Sequence, residues 1–172
     1  METLLEYSFV DELTDSEYDI VPMLDAEGND MASKVHGRLQ RRFLTTLMRL
    51  VSDDYEVFPP VTFKTTDKGY TPDVCVYPQQ TLDFLNDVPA EDTAPILAVE
   101  IVSQSQNLGA LIRKAQEMIR AGVETCWVVE PTAEIVVTCN TQGRKSLHKG
   151  EFLHHPLLSD PISIDEIFDI TL

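Results

Sequence analysis

Asp73, Glu100 and Lys114 are the side chains of this sequence whose types and settings could do chemistry together. Glu100 lies inside the most apolar stretch of the chain, Pro95-Ile-Leu-Ala-Val-Glu-Ile-Val102. A run of that length, bounded by Pro95 and Ser103, reads as a buried strand. Alternation puts Ile96, Ala98, Glu100 and Val102 on one face, and Leu97, Val99 and Ile101 on the other. An ionised carboxylate in such a strand is costly unless it is paired or coordinates a metal. The bland alternative is a strand end at the sheet rim, where a Glu meets water or a structural Arg. Thr71-Pro72-Asp73 opens another strand with a carboxylate, although Asp after Pro is commonest in turns. Lys114 falls on a helix, about 40° outside the Met118 edge of its apolar face. Most such lysines are solvated, but from there the stem can lie along the core surface while the ammonium returns to the sheet rim. Two carboxylates from neighbouring strands and a lysine suit phosphodiester cleavage. The carboxylates hold Mg²⁺ (or Mn²⁺), a hard cation that keeps most of its waters. The cation acidifies a water, and the lysine orients that water or offsets developing negative charge.

The elements that must position these groups follow from periodicity. Val35, Leu39, Phe43, Leu47 and Leu50 mark a helix from about Met31, with Asn29, Asp30 and Ser33 as candidate caps. Tyr55–Phe58 and Val61–Lys64 read as strand, separated or bulged by Pro59 and Pro60. Asp67-Lys-Gly69 reads as a turn and Val74–Tyr77 as a second strand. Residues 78–94 read as loop, with one helical turn around Leu82–Leu85. After the Glu100 strand comes a helix over about Asn107–Ala121, ended by Gly122 as the left-handed residue. Thr125–Val129 and Ile135–Thr138 are further strands, the second antiparallel through the turn at Pro131. The tail reads as a hairpin near Arg144–Leu153 and a short helix near Ile164–Phe168.

The 172 residues fit a single α/β domain, with an acidic N-terminal segment over 1–30 and a C-terminal hairpin and short helix over 140–172. Tyr18–Leu24 could form a strand or hairpin arm, followed by a turn at Ala26–Asn29. No apolar run reaches membrane-spanning length, and the start Met-Glu-Thr-Leu-Leu-Glu is acidic where a signal peptide would be basic. Cys75, Cys126 and Cys139 form no CxxC pair, which favours buried thiols in a reducing cytoplasm. Net charge is −16, with ten acids and no Lys or Arg in residues 1–30, against nineteen acids and thirteen bases in the rest. That balance opposes nonspecific binding to a polyanion, so any DNA contact is expected to be weak or conditional.

The order αβββαβ, with Pro72-Asp-Val74 and then Glu100-Ile-Val102, resembles the restriction-endonuclease-like PD-(D/E)xK superfamily. Within it, the chain is most similar to the Uma-type endonuclease family of bacteria. The resemblance is carried by Pro72-Asp-Val74, Val99-Glu-Ile-Val-Ser-Gln-Ser105, Lys114-Ala-Gln-Glu-Met118 and Ala121-Gly-Val-Glu-Thr-Cys-Trp-Val-Val-Glu-Pro131, with ungapped spacing from Val99 to Pro131. The region around His36-Gly-Arg38 and the acidic N-terminal segment match more loosely. The superfamily lysine stands two residues after the acid, where this chain has Val102; in the Uma-type family it has moved to the helix, where this chain has Lys114. Met118 replaces a usual Tyr, Ala110 an Asp and Gln104 a Pro. The resemblance implies a mixed central sheet flanked by helices and a Mg²⁺-dependent endonuclease hydrolysing DNA. It also implies Asp73 and Glu100 as metal ligands, with Lys114 as the catalytic cation.

His36, near the start of the first helix, is open to two readings: a surface or capping residue, or an accessory acid or metal-associated group. Arg38, Arg41 and Arg42 could meet phosphates, though a solvated helix face is the commoner reading. His148, His154 and His155 have no Cys or acid at zinc-ligand spacing. Ser103 and Ser105 lack a GxSxG elbow, and the seven scattered glycines form no phosphate loop. A non-catalytic binding or assembly module on the same fold is the alternative that the acidic charge favours. Cleavage of two strands needs two sites, which points to a homodimer without identifying its interface.

Overall fold

The computed structural model describes residues 33–169. The expected strand at Tyr18–Leu24, the turn at Ala26–Asn29 and the candidate caps Asn29 and Asp30 lie outside the described residues. Helix α1 spans Lys34–Leu50, and its N-terminus is capped by Ser33, whose hydroxyl accepts from the His36 N–H at 3.2 Å. Strand β1 (Tyr55–Phe58) stops at Pro59, which has no N–H to continue a ladder. The chain beyond Pro60 does not extend that strand. β2 (Phe63–Lys64) instead forms a separate ribbon with β3 (Gly69–Tyr70). The turn placed at Asp67–Gly69 therefore closes one residue earlier, at the Lys68 carbonyl, to which Thr65 N–H donates at 2.8 Å.

β4 (Val74–Pro78) and β5 (Leu97–Ile101) run antiparallel, α2 (Leu108–Arg120) crosses over, and β6 (Thr125–Glu130) returns parallel to β5. β7 (Ile135–Asn140) and β8 (Gly143–Leu147) add antiparallel strands. The sheet order is β1-β4-β5-β6-β7-β8, so the αβββαβ order and the mixed central sheet are both present. The tail differs from expectation. β8 turns back on β7, while β9 (Phe152–Leu153) pairs with β10 (Ile162–Ser163) rather than with β8. α3 (Ile164–Phe168) is the expected short helix. Around Leu82–Leu85 there is a turn in place of a helical turn, with Asn86 N–H reaching the Asp83 carbonyl at 3.3 Å.

The two faces of the sheet carry separate cores. Leu97, Val99 and Ile101 pack with Leu39, Phe43 and Leu47 of α1. Ala98 and Val102 pack with Leu111, Ala115 and Met118 of α2. The α2 cover is fixed at both ends. Asn107 accepts from Ala110 N–H at 2.9 Å, and Gly122 takes φ +113°, a conformation that costs a side-chain-bearing residue. Glu100 lies on the α2 face of β5, where alternation put it.

Candidate active site

β5 carries Glu100 into the sheet near its C-terminal end, and the residue is 3% exposed. Lys114 stands on the second turn of α2, over that face, and its ammonium lies 2.7 Å from Glu100 Oε1. Oε1 is buried, and the Lys114 ammonium is its ion-pair partner. Burial pushes the Glu100 carboxyl up to about 7, against the opposing pull of the Lys114 charge. The neighbouring Asp73 charge pushes the same way as burial.

Asp73 immediately precedes β4, at the sheet end beside Glu100. Its N–H donates to the Val99 carbonyl at 3.0 Å, and its Oδ2 accepts from the Ile101 N–H at 2.7 Å. β4 ends its ladder here, and the carboxylate takes the place of the next backbone acceptor on the β5 edge. Because N–H and C=O of one strand residue point to the same side, the Ile101 carbonyl also faces Asp73. His36 brings α1 to the same corner: its Nε2 lies 3.3 Å from Asp73 Oδ1. The hydrogen bond that His36 donates to Asp73 raises the His36 pKa, opposed by burial and supported by the charges of Asp73 and Glu100. His36 Nδ1 is buried without a hydrogen-bond partner.

All four residues singled out from the sequence therefore meet at one end of the sheet. Gln40 was missed. Its amide donates to the Asp73 carbonyl at 2.9 Å, one turn along α1 from His36. The i, i+4 spacing of two polar groups at the edge of the apolar stripe of α1 was the available signal. Arg42, read as phosphate-facing or solvated, instead packs against α3, and His155 also lies away from the site. Arg42 donates to the Ile167 carbonyl at 2.7 Å, closing the end of α3, and His155 pairs with Thr125 at 3.2 Å on the far side of the core.

The donor set fits a hard divalent cation. Two carboxylates and a backbone carbonyl offer only oxygen, and Glu100 Oε1 is a buried oxygen held by the Lys114 ion pair alone. Among the described residues no group of three or more His, Cys, Asp or Glu side chains could hold a metal, so water would complete such a shell.

The mixed six-stranded sheet flanked by helices, with a carboxylate pair at its strand ends and a lysine reaching them from α2, is a restriction-endonuclease-like fold. The family described as “Uma2: Putative restriction endonuclease” matches residues 27–164, and the chain belongs to it. Among solved structures, the chain is similar to “a putative nuclease belonging to DUF820” from Anabaena variabilis. That likeness has a TM-score of 0.72 at 17% identity, covers 80% of this chain and 82% of the other, and concerns the fold alone. No curated protein matches.

Proposed function

We propose that this chain, as a single domain over 1–172, is a Mg²⁺- or Mn²⁺-dependent endonuclease that hydrolyses DNA phosphodiester bonds in the bacterial cytoplasm. The observation that carries the proposal is the ion pair of Lys114 with the buried Glu100 at 2.7 Å beside Asp73, which unites three residues distant in sequence. Asp73 and Glu100 would hold the cation, with the Ile101 carbonyl beside them. When bound, such a cation supplies Lewis acidity to a phosphate oxygen and acidity to a coordinated water. Lys114 is 31% exposed, so its ammonium can meet a phosphate while its stem stays anchored over Glu100. It orients the attacking water and offsets charge that builds on the phosphate oxygens. His36 and Gln40 hold Asp73 from α1 and fix its carboxylate. Hydrolysis adds the water oxygen to phosphorus, breaks the bond to one sugar oxygen and leaves the proton on that oxygen.

Three buried free thiols support a reducing compartment, Cys126 and Cys139 being unbridged although they pair across β6 and β7. No described helix is long and apolar enough to cross a membrane. The test is incubation of supercoiled plasmid with the protein and Mg²⁺ or Mn²⁺, beside an EDTA control and Glu100→Gln. Nicking that needs the cation and falls at least about 100-fold in Glu100→Gln is the expected result. Equal nicking by Glu100→Gln overturns the proposed site. A folded wild-type protein that never nicks DNA returns the non-catalytic binding module suggested by the net charge of −16.

A further inference from the structure

The loop joining β4 to β5 presents the most exposed apolar side chains among the described residues: Phe84 is 91% exposed and Leu85 94%. They are not on a loose tip. The Asp83 carboxylate accepts from the Leu85 N–H at 2.9 Å and from the Asn86 amide at 2.8 Å. Those bonds wind a turn whose two corner positions, usually polar, carry Phe84 and Leu85. Leu82 and Val88 flank them, also exposed. A fixed apolar knob standing in water is the mark of a contact surface. Residues 79–92 add Asp83, Asp87, Glu91 and Asp92 and no Lys or Arg. That charge disfavours a nucleic acid or an anionic membrane as the occupant.

The complementary surface lies on the same chain. α1 carries Lys34, Arg38, Arg41, Arg42 and Arg49 and no acid, in a protein of net charge −16. Between α1 and α3 is a cleft of about 440 Å³, floored by Phe43, Ile162 and Ile167, with Arg41, Arg42 and Arg49 against a single acid, Glu166, among its lining residues. Arg42 Nη2 is buried there with no hydrogen-bond partner. The cleft is large enough for a Phe ring, and its basic lining matches the acidic base of the knob.

We infer that the protein is a two-fold dimer in which the Phe84–Leu85 knob of each subunit enters the α1–α3 cleft of the other. Closure follows from where the two features lie. Tyr55 pairs with Pro78 at the start of the knob loop, and the Gln79 N–H donates to the Asp54 carbonyl at 2.8 Å. The C-terminal end of α1, with Arg49, leads into that same end of the sheet. The start of the knob loop and the C-terminal end of α1 thus share one end of the sheet, and a two-fold axis there lets each knob meet the other subunit's cleft with neither contact free to propagate. The inference stands independently of the nuclease reading.

Sedimentation of the full chain at micromolar concentration tests it, with crosslinking to read the register. The wild type should sediment as a dimer that weakens with salt, and Phe84→Asp/Leu85→Asp and Arg41→Glu/Arg49→Glu should each be monomers with unchanged circular dichroism. Leu85→Cys mixed with Arg49→Cys should give an intermolecular disulfide under mild oxidation, since the three native thiols are buried. A monomeric wild type, a dimer that survives Phe84→Asp/Leu85→Asp, or capture by DNA or vesicles that needs the knob would each overturn it.

Discussion

Glu100 is the residue whose environment makes the most specific demands. Its carboxyl sits at about 7 in the folded protein against an ordinary value of 4.5. Between those values the native state holds a proton that the unfolded chain has lost, so this group's contribution to stability falls as pH rises from about 4.5 to about 7. Above that range the protein carries the cost of a buried charge, eased by Lys114. Glu100→Gln should therefore raise the melting temperature at pH 8 by about 5 °C and change it little at pH 5; a lower melting point at pH 8 would contradict the assignment. Lys114, with 31% exposure, can turn to water in that variant. The same proton must leave before Glu100 can hold a cation, so cleavage should rise about tenfold from about pH 6 to about pH 8.

His36 shifts upward through Asp73, so its pairing stabilises fully below about 6.5 and is lost as pH rises through the elevated value. In Asp73→Asn, the His36 ring protons followed by NMR should titrate at lower pH than in the wild type. Glu100 was legible in the sequence because an acid breaks the pattern of an apolar strand, whereas Asp73 and Lys114 are ordinary in their local settings and stood out only beside Glu100 and through the family resemblance. Gln40 breaks no pattern. It acts through the Asp73 backbone, and a backbone acceptor leaves no trace in residue types.

At the scale of elements, the sequence displayed whatever is long enough to show a period. α1, α2 and the five-residue β5 stood out because their apolar spacing repeats. The ribbons did not. β2, β3, β9 and β10 have two residues each, too few to alternate, and β9 finds its partner across the irregular stretch before β10. A local reading joined Arg144–Leu153 into one hairpin because the turn that reverses β7 into β8, with Asn140 Oδ1 accepting from Gln142 N–H at 2.9 Å, lies just upstream. α2 depends on its stop signal. Gly122 holds φ +113°, and an added Cβ would sit 3.4 Å from the Ala94 Cβ. Gly122→Ala should cost more than about 1 kcal/mol in denaturant unfolding and loosen the helix that carries Lys114. An unchanged midpoint would show that this junction relaxes freely.

Over the whole molecule, charge is distributed unevenly, and the distribution bears on function more than the total does. The acids concentrate in residues 1–30, while α1 is wholly basic, so a surface that could meet a polyanion exists within an acidic protein. DNA affinity should be weak at physiological salt and rise steeply as salt falls. The fold class was legible because αβββαβ order needs only element types, whereas any partner surface depends on which exposed side chains a turn gathers. The central claim is that three distant side chains act as one site, and a unit of this kind loses its function once, not repeatedly. The most direct measurement is plasmid nicking in Mn²⁺ by Asp73→Asn, Lys114→Ala and their combination. Each single variant should lose at least about 100-fold, and the pair should fall little further; losses that multiply, or a single variant nicking at the wild-type rate, would contradict the account.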